Sequence, residues 1–169
     1  MASTVLEAPA AKVDSRAGKY LTFGLGKEEF AIQVLAVREI MGVQEITVVP
    51  QTPPYVKGVI NLRGKVIPVV DLRLKFGLEE QAYTQRTCIV VVQIEQEGSR
   101  LLTGVVVDEV SEVVTLQSAD IEDTPDFGRG VSTPYILGMA KSKGKVKILL
   151  DINRVMSVQE MSGLAGSVL

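Results

Sequence analysis

No histidine and no tryptophan occur in this sequence of 169 residues, and it holds a single cysteine. Without imidazole the chain lacks the commonest general base, proton shuttle and metal ligand. One thiol, Cys88, supplies neither an internal disulfide nor a Cys/His zinc set. It stands in the run Cys88-Ile89-Val90-Val91-Val92, where it reads as a small buried hydrophobe, in keeping with a reducing compartment. Aromatic residues make up 5% of the chain, too few to floor a sugar-binding cleft. No P-loop, dinucleotide-binding glycine fingerprint or Gly-x-Ser-x-Gly elbow is present. The adjacent carboxylates Glu28-Glu29 and Glu79-Glu80 lie beside turns, where solvated charge accounts for them. The expectation is a protein that is not an enzyme, with no catalytic residue, no cofactor and no metal.

A one-signed charge is also missing. Lysine and arginine total 18 against 20 for aspartate and glutamate, a formal charge of −2, with both signs mixed along the length. A nucleic-acid binder needs a concentrated basic face. The one local cluster, Lys141, Lys143, Lys145 and Lys147, is interrupted by Gly144 at an expected turn. Its charges should spread around a hairpin tip and serve solubility. Uninterrupted apolar runs reach only about five residues, against about twenty for a bilayer span. Residues 1–17 show no apolar block after a basic cluster and do not read as a secretory signal. A cytoplasmic protein without direct membrane insertion is expected.

What the chain has in quantity is β-branched residues. Lys19 to Leu25 and Glu29 to Gln33 read as strands joined through Gly24-Leu25-Gly26-Lys27, with glycine where a tight turn needs positive φ. Residues 58–62, 65–70, 87–94, 101–107, 135–140 and 145–150 have the same character. Residues 1–17 and 158–169 read as tails, the first as a flexible one. Short strands with glycine turns favour a sandwich or small barrels.

Self-similarity organises the rest. Residues 54–77, PYVKGVINLRGKVIPVVDLRLKFG, align without a gap on residues 134–157, PYILGMAKSKGKVKILLDINRVMS. The identities are Pro54/Pro134, Tyr55/Tyr135, Gly58/Gly138, Gly64/Gly144, Lys65/Lys145, Val66/Val146 and Asp71/Asp151. Upstream, residues 31–41 resemble residues 104–114, with Val37/Val110 and Glu39/Glu112 identical. The second copy carries a longer insertion, around Ile121 to Pro125. Duplication follows, with approximate repeat halves 18–84 and 85–157. In each half a strand reaches a basic-glycine tip, returns, and ends in an aspartate placed to cap a short helix. Gly77 suits a helix C-terminus. Pro68 has no amide hydrogen for a ladder, so it marks an edge or bulge. The block Val34 to Met41 sets Val34, Val37 and Met41 at helical spacing, with Val107, Val110 and Val114 as counterparts. Such stripes read as core or as a docking surface in a groove between the units.

Several of these segments resemble the family of chemotaxis coupling proteins, the CheW-like domains. They are Phe23-Gly24-Leu25 with Glu29-Phe30-Ala31-Ile32, Val34 to Ile40, and above all the run from Val49 to Gly64 that ends in Asn61-Leu62-Arg63-Gly64. Val66 to Arg73, Val105 to Val113 and Leu149 to Ile152 continue the likeness, which spans about residues 17 to 157. The resemblance implies a mostly β fold of two SH3-like five-stranded β-barrel subdomains related by pseudo-symmetry, with short helices. It implies an adaptor that joins methyl-accepting chemoreceptors to the regulatory domain of the histidine kinase CheA, with other CheW-like domains as further partners. Such an adaptor is cytoplasmic and recruited to membrane-associated receptor arrays. Carried over by motif, Val34, Val37, Glu39, Gly58, Asn61 and Arg63 are candidate partner contacts, with Val107 and Val110 from the second stripe. Gly58 recurs as Gly138, which a backbone requirement also explains. The planar fork of Arg63 suits a partner carboxylate. Two alternatives stand beside this reading: a coupling protein of a related pathway for surface motility or gene expression, and a small-molecule sensor using the groove between barrels.

Overall fold

Apolar residues in the central strands come in two phases, and each phase enters a different core. The computed structural model describes residues 15–128 and 133–156. Its strands are β1 (Gly18–Leu25), β2 (Glu28–Gln33), β3 (Val37–Gly42), β4 (Val56–Leu62), β5 (Lys65–Asp71), β6 (Cys88–Gln96), β7 (Ser99–Val107), β8 (Glu109–Leu116), β9 (Ile121–Glu122), β10 (Ile136–Ser142) and β11 (Lys145–Leu150), with helical turns α1 (Leu72–Lys75) and α2 (Ile152–Arg154). Five strands pair in the order β3-β6-β7-β5-β4, and six in the order β8-β1-β2-β11-β10-β9. Val90, Val92 and Ile94 of β6 enter a core shared by both sheets, together with Leu21, Phe23, Val105 and Leu150. The alternate residues Ile89 and Val91 fill a core belonging to the five-stranded sheet, with Ile60, Ile67 and Val69. Tyr20, Ala31, Leu116 and Leu149 do the same for the other sheet. Burial on both faces is why Cys88 to Val92 reads as an unbroken apolar run. Cys88 itself is only half-buried, its thiol donating to the Arg86 carbonyl at 3.2 Å.

The mostly β fold with two pseudo-symmetric SH3-like units and short helices is present, with two corrections. The second sheet has six strands rather than five, since β9 is a two-residue strand where the first copy has only the isolated bridge Thr47–Val59. In neither sheet does the last strand pair with the first, so both are open sheets rather than closed barrels. The repeat halves are also not the spatial units. Hairpin β1–β2, from the first half, joins β8, β9, β10 and β11, while hairpin β6–β7, from the second, joins β3, β4 and β5. Each join has an antiparallel ladder, β1 with β8 or β6 with β3, and a parallel one, with Leu149 opposite Ala31 and Val69 opposite Gly104. Each copy has given its first hairpin to the other.

Local features follow the repeat. Asp71 accepts the Arg73 amide at 2.9 Å, and Asp151 accepts those of Asn153 and Arg154 at 3.1 and 3.3 Å. Both are helix caps. Gly77, at φ +78, closes α1 by donating to the Leu74 carbonyl at 3.0 Å. Pro68 lies where β5 has β4 alone beside it, since the ladder to β7 begins at Val69. Residues 15–17, placed in the tail by composition, are instead bound to the six-stranded sheet. Arg16 donates to the Leu137 carbonyl at 3.0 Å, and its own carbonyl accepts the Tyr20 hydroxyl at 2.6 Å. The remainder of both expected tails, 1–14 and 157–169, lies outside the described residues. Among the described residues no helix is long and apolar enough to cross a membrane.

The lysine cluster also departs from expectation. Lys141 and Lys143 pair with Glu122 and Glu112, but Lys147 has a side chain only 4% exposed and meets Glu29 at 2.5 Å. Strand alternation turns 147 inward beside the parallel neighbour β2, so its charge must be matched there. The hydrogen bond from Lys147 holds the Glu29 carboxyl below the ordinary glutamate range. Glu29→Ala should cost about 3 kcal/mol in urea unfolding by stranding a buried ammonium, and adding Lys147→Met should recover most of it. Because the folded-state pKa of Glu29 is lowered, its contribution is full above the ordinary value near 4.5 and fades as the pH falls through the lowered one. The stability gap between wild type and Glu29→Gln should therefore close in acid. A gap that persists unchanged to pH 2 would contradict this.

Candidate functional site

The expected helical stripe from Val34 to Met41 is a 3-10 turn, Val34–Ala36, followed by β3. Short β-branched segments fit either period, and here pairing with β6 decides for the strand. A bulge between Val37 and Glu39 splits β3: Val37, opposite Val92, faces the shared core, while Glu39 and Met41, opposite Val91 and Ile89, lie on the other side of the sheet. Val34, Val37 and Val110 are half-buried against the shared core. Val107 belongs to that core at 1% exposure. As a partner contact Val107 is corrected, since it ends β7 on the side facing the other sheet and has no surface to offer. Leu35, between the two valines, is 88% exposed.

Glu39 looks across a depression of about 430 Å³ toward the β4–β5 tip, with Leu62, Val91, Gln93 and Leu102 in its lining. At the tip Arg63 and Gly64 both have positive φ, as a two-residue hairpin turn requires. Asn61 accepts the Gly64 amide at 2.8 Å, so this side chain is committed to shaping the turn. Arg63 is thereby aimed back at Glu39, and its two terminal nitrogens meet the two carboxylate oxygens at 3.2 and 2.5 Å. That hydrogen bonding holds the Glu39 carboxyl below its usual range. The fork is therefore occupied within the chain rather than empty and awaiting a partner. Its side chain stays 72% exposed, and that of Glu39 30%.

Gly58 sits apart from this pair. At φ +142 it lies beside Thr47, and any Cβ would collide with the Thr47 carbonyl. The cause is the two-way bridge between Thr47 and Val59, at 2.9 Å each way. Gly138 has the same relation to the Glu122 carbonyl, 2.7 Å from its would-be Cβ. Backbone proximity accounts for both glycines. The ion pair is repeated too. Lys143 donates to both oxygens of Glu112 at 3.1 and 3.0 Å, at the positions equivalent to Arg63 and Glu39. The outer ends of the two sheets thus carry matching acidic–basic pairs of different chemistry, a rigid planar fork on one and a compact ammonium on the other.

Sequence reasoning expected a groove between the units lined by the valine stripes, but missed the aromatic lining of the one present, about 520 Å³ where α1 meets the six-stranded sheet. Phe30, Phe76 and Tyr135 stack along it with ring centroids 5.8 Å apart, and Leu25, Ile136 and Ile148 complete the apolar lining. It missed Arg73 and Asp108 as well, which tie α1 to the β7–β8 junction through an ion pair. One signal was available: at these two positions the copies differ, with Asn153 and Leu35 in the equivalent places.

A sequence profile of the CheW-like domain matches residues 19–160. The chain is 37% identical over 144 residues to the chemotaxis protein CheW of Klebsiella aerogenes, covering 85% of this chain and 84% of that protein. Against the protein of the same name from Rhizobium meliloti it is 35% identical over 152 residues, covering 89% and 96%. Among solved structures it resembles the scaffolding protein TtCheW from Thermoanaerobacter tengcongensis, with a TM-score of 0.72, 31% identity, and coverage of 83% and 93%.

If Arg63 is what depresses Glu39, Arg63→Ala should raise the Glu39 pKa toward the ordinary glutamate value, read from side-chain NMR shifts across an acid titration. No movement would mean the pair does not persist in solution.

Proposed function

The chain belongs to the CheW-like family, and on that premise we propose that it is a non-enzymatic adaptor of bacterial chemotaxis. It couples the cytoplasmic tips of chemoreceptors to the regulatory domain of the histidine kinase CheA and supports kinase activation in membrane-associated arrays. The observation that carries this reading is the repeated ionic end: Glu39 with Arg63 on one sheet, Glu112 with Lys143 on the other. Two related but chemically distinct ends suit a molecule that must hold two different partners at once. An exposed ion pair is worth little in isolation, so Arg63 can exchange Glu39 for a partner carboxylate at small cost. Val34, Val37 and Val110, half-buried against the shared core, supply apolar surface that a partner would cover. Asn61 contributes by fixing the turn that aims Arg63.

A second reading, a small-molecule sensor, is favoured only by the aromatic-lined groove. A ligand-induced rise in Tm without any protein partner would support it.

The adaptor reading is tested by mixing the purified chain with a receptor cytoplasmic fragment and the kinase, then measuring co-sedimentation and autophosphorylation. Activation should require all three components. A ternary mixture with neither activation nor co-sedimentation would refute it. Arg63→Asp places a like charge opposite Glu39 and should weaken receptor capture on the order of tenfold while the fold is kept. Unchanged capture would remove Arg63 from the contact.

A further inference from the structure

The chain passes from one sheet to the other at Asp108, between β7 and β8. Three groups from different elements converge on this residue. Its own amide donates to the Gly24 carbonyl at 3.0 Å. Its carboxylate accepts the Gly26 amide, in the β1–β2 turn, at 2.7 Å. The Arg73 guanidinium, from α1 at the end of β5, closes on both carboxylate oxygens, with Nε at 3.3 Å and Nη2 closer. Arg73 also donates to the Glu79 carbonyl at 3.3 Å. Asp108 therefore joins the helix of the five-stranded sheet to the hairpin that was given to the six-stranded one.

The other copy makes the same join with different parts. Asn153, equivalent to Arg73, accepts the Glu95 amide at 2.8 Å with its own side chain. Register identifies Glu95 as the counterpart of Gly26: β1 and β6 pair with β2 and β7, whose Ala31 and Gly104 occupy equivalent rungs of the parallel ladders. Each sheet's helix thus reaches across to the exchanged hairpin of the other. One clasp uses a neutral hydrogen bond, and the other an ion pair relayed through Asp108. Arg73 and Asp108 are largely withdrawn from solvent, with side chains 13% and 33% exposed. They are placed to fix how the sheets lie against each other rather than to meet a partner.

We propose that Arg73 and Asp108 are positioning residues of the adaptor, setting the angle between the two sheets at which receptor and kinase are held together. The proposal rests on the adaptor reading. Binding of either partner alone needs one sheet end, whereas activation needs both ends in a fixed relation, so the clasp governs coupling rather than affinity. Asp108→Asn keeps an acceptor for Gly26 and removes the charge that holds Arg73. Arg73→Gln removes it from the other side, and Arg73→Lys keeps the charge without the fork.

Two experiments on the full-length chain decide. In the first, spin labels at Val66→Cys and Val146→Cys, exposed positions on the two sheets, are introduced in a Cys88→Ala background. Their distance distribution should be narrow in the parent and broader with Asp108→Asn or Arg73→Gln. In the second, affinities for the receptor fragment and for the kinase regulatory domain should stay unchanged in these variants while ternary kinase activation falls about tenfold. Arg73→Lys, the variant least prone to misfold, should fall in between. An unaltered distance distribution, wild-type activation, or partner affinities that drop in step with activation would each overturn the proposal. The distance measurement uses no partner, so its failure is distinct from failure of the adaptor reading, which would show as a parent chain that activates nothing.

Discussion

Two short parallel ladders carry the rest of this structure, β2 against β11 and β5 against β7. Each joins a hairpin from one copy of the repeat to strands from the other. Without them β1–β2 would keep only β8 beside it, and β5 only β4. Parallel pairing needs a long crossover: between β2 and β11 it holds the whole five-stranded sheet, and between β5 and β7 it holds α1 and β6. The shared core depends on the same exchange, since Leu21 and Phe23 from the first hairpin pack there with Val90 and Val92 from the second. Two sheets assembled in this way form one body rather than two beads. An adaptor that relates one partner to another has use for that rigidity.

Duplication explains what the halves share, and divergence explains what they do not. Aspartate caps and the crowded Gly58 and Gly138 recur because the backbone of the repeated unit demands them, and the acidic–basic pairs recur beside them. Two departures from the repeat change an ionic contact. At the tips Asn61-Leu62-Arg63 stands against Lys141-Ser142-Lys143, which changes a bidentate pair into a point charge. At the seam Arg73 and Asp108 stand against Asn153 and Leu35. Asp71 likewise takes on the Tyr83 hydroxyl at 2.9 Å, while Asp151 spends its capacity on a second helix amide. Burial and the neighbouring Asp71 charge push the Tyr83 phenol well above its usual range, so it stays a donor and pins the connector between the halves.

Much of this was legible in the residues. Strands announced themselves by β-branched runs, turns by glycine next to a basic residue, and caps by aspartate after a strand, because each signal is local. The stripe from Val34 to Met41 misled for a physical reason: the spacing of Val34, Val37 and Met41 fits a period of 3.6, but in so short a segment pairing with β6 overrides the local period. Lys147 misled because its neighbour Glu29 lies 118 residues away in sequence, so no local pattern marks it as buried. The exchange of hairpins is invisible for the same reason. A repeat shows that two units exist, but it does not say which strands each unit keeps. Val107 was legible as important and misassigned as to why, since core packing constrains a residue as tightly as a partner does, whereas the recurrence of Gly58 as Gly138 already pointed to the backbone proximity found there.

The exchange itself is open to direct measurement. Residues 15–84 and 85–156, produced as separate polypeptides, each contain one hairpin without its sheet and one sheet without its hairpin. Each alone should show no cooperative unfolding by circular dichroism, and an equimolar mixture should regain a single cooperative transition. Either fragment folding alone as a monomer with its own sharp transition would contradict the account.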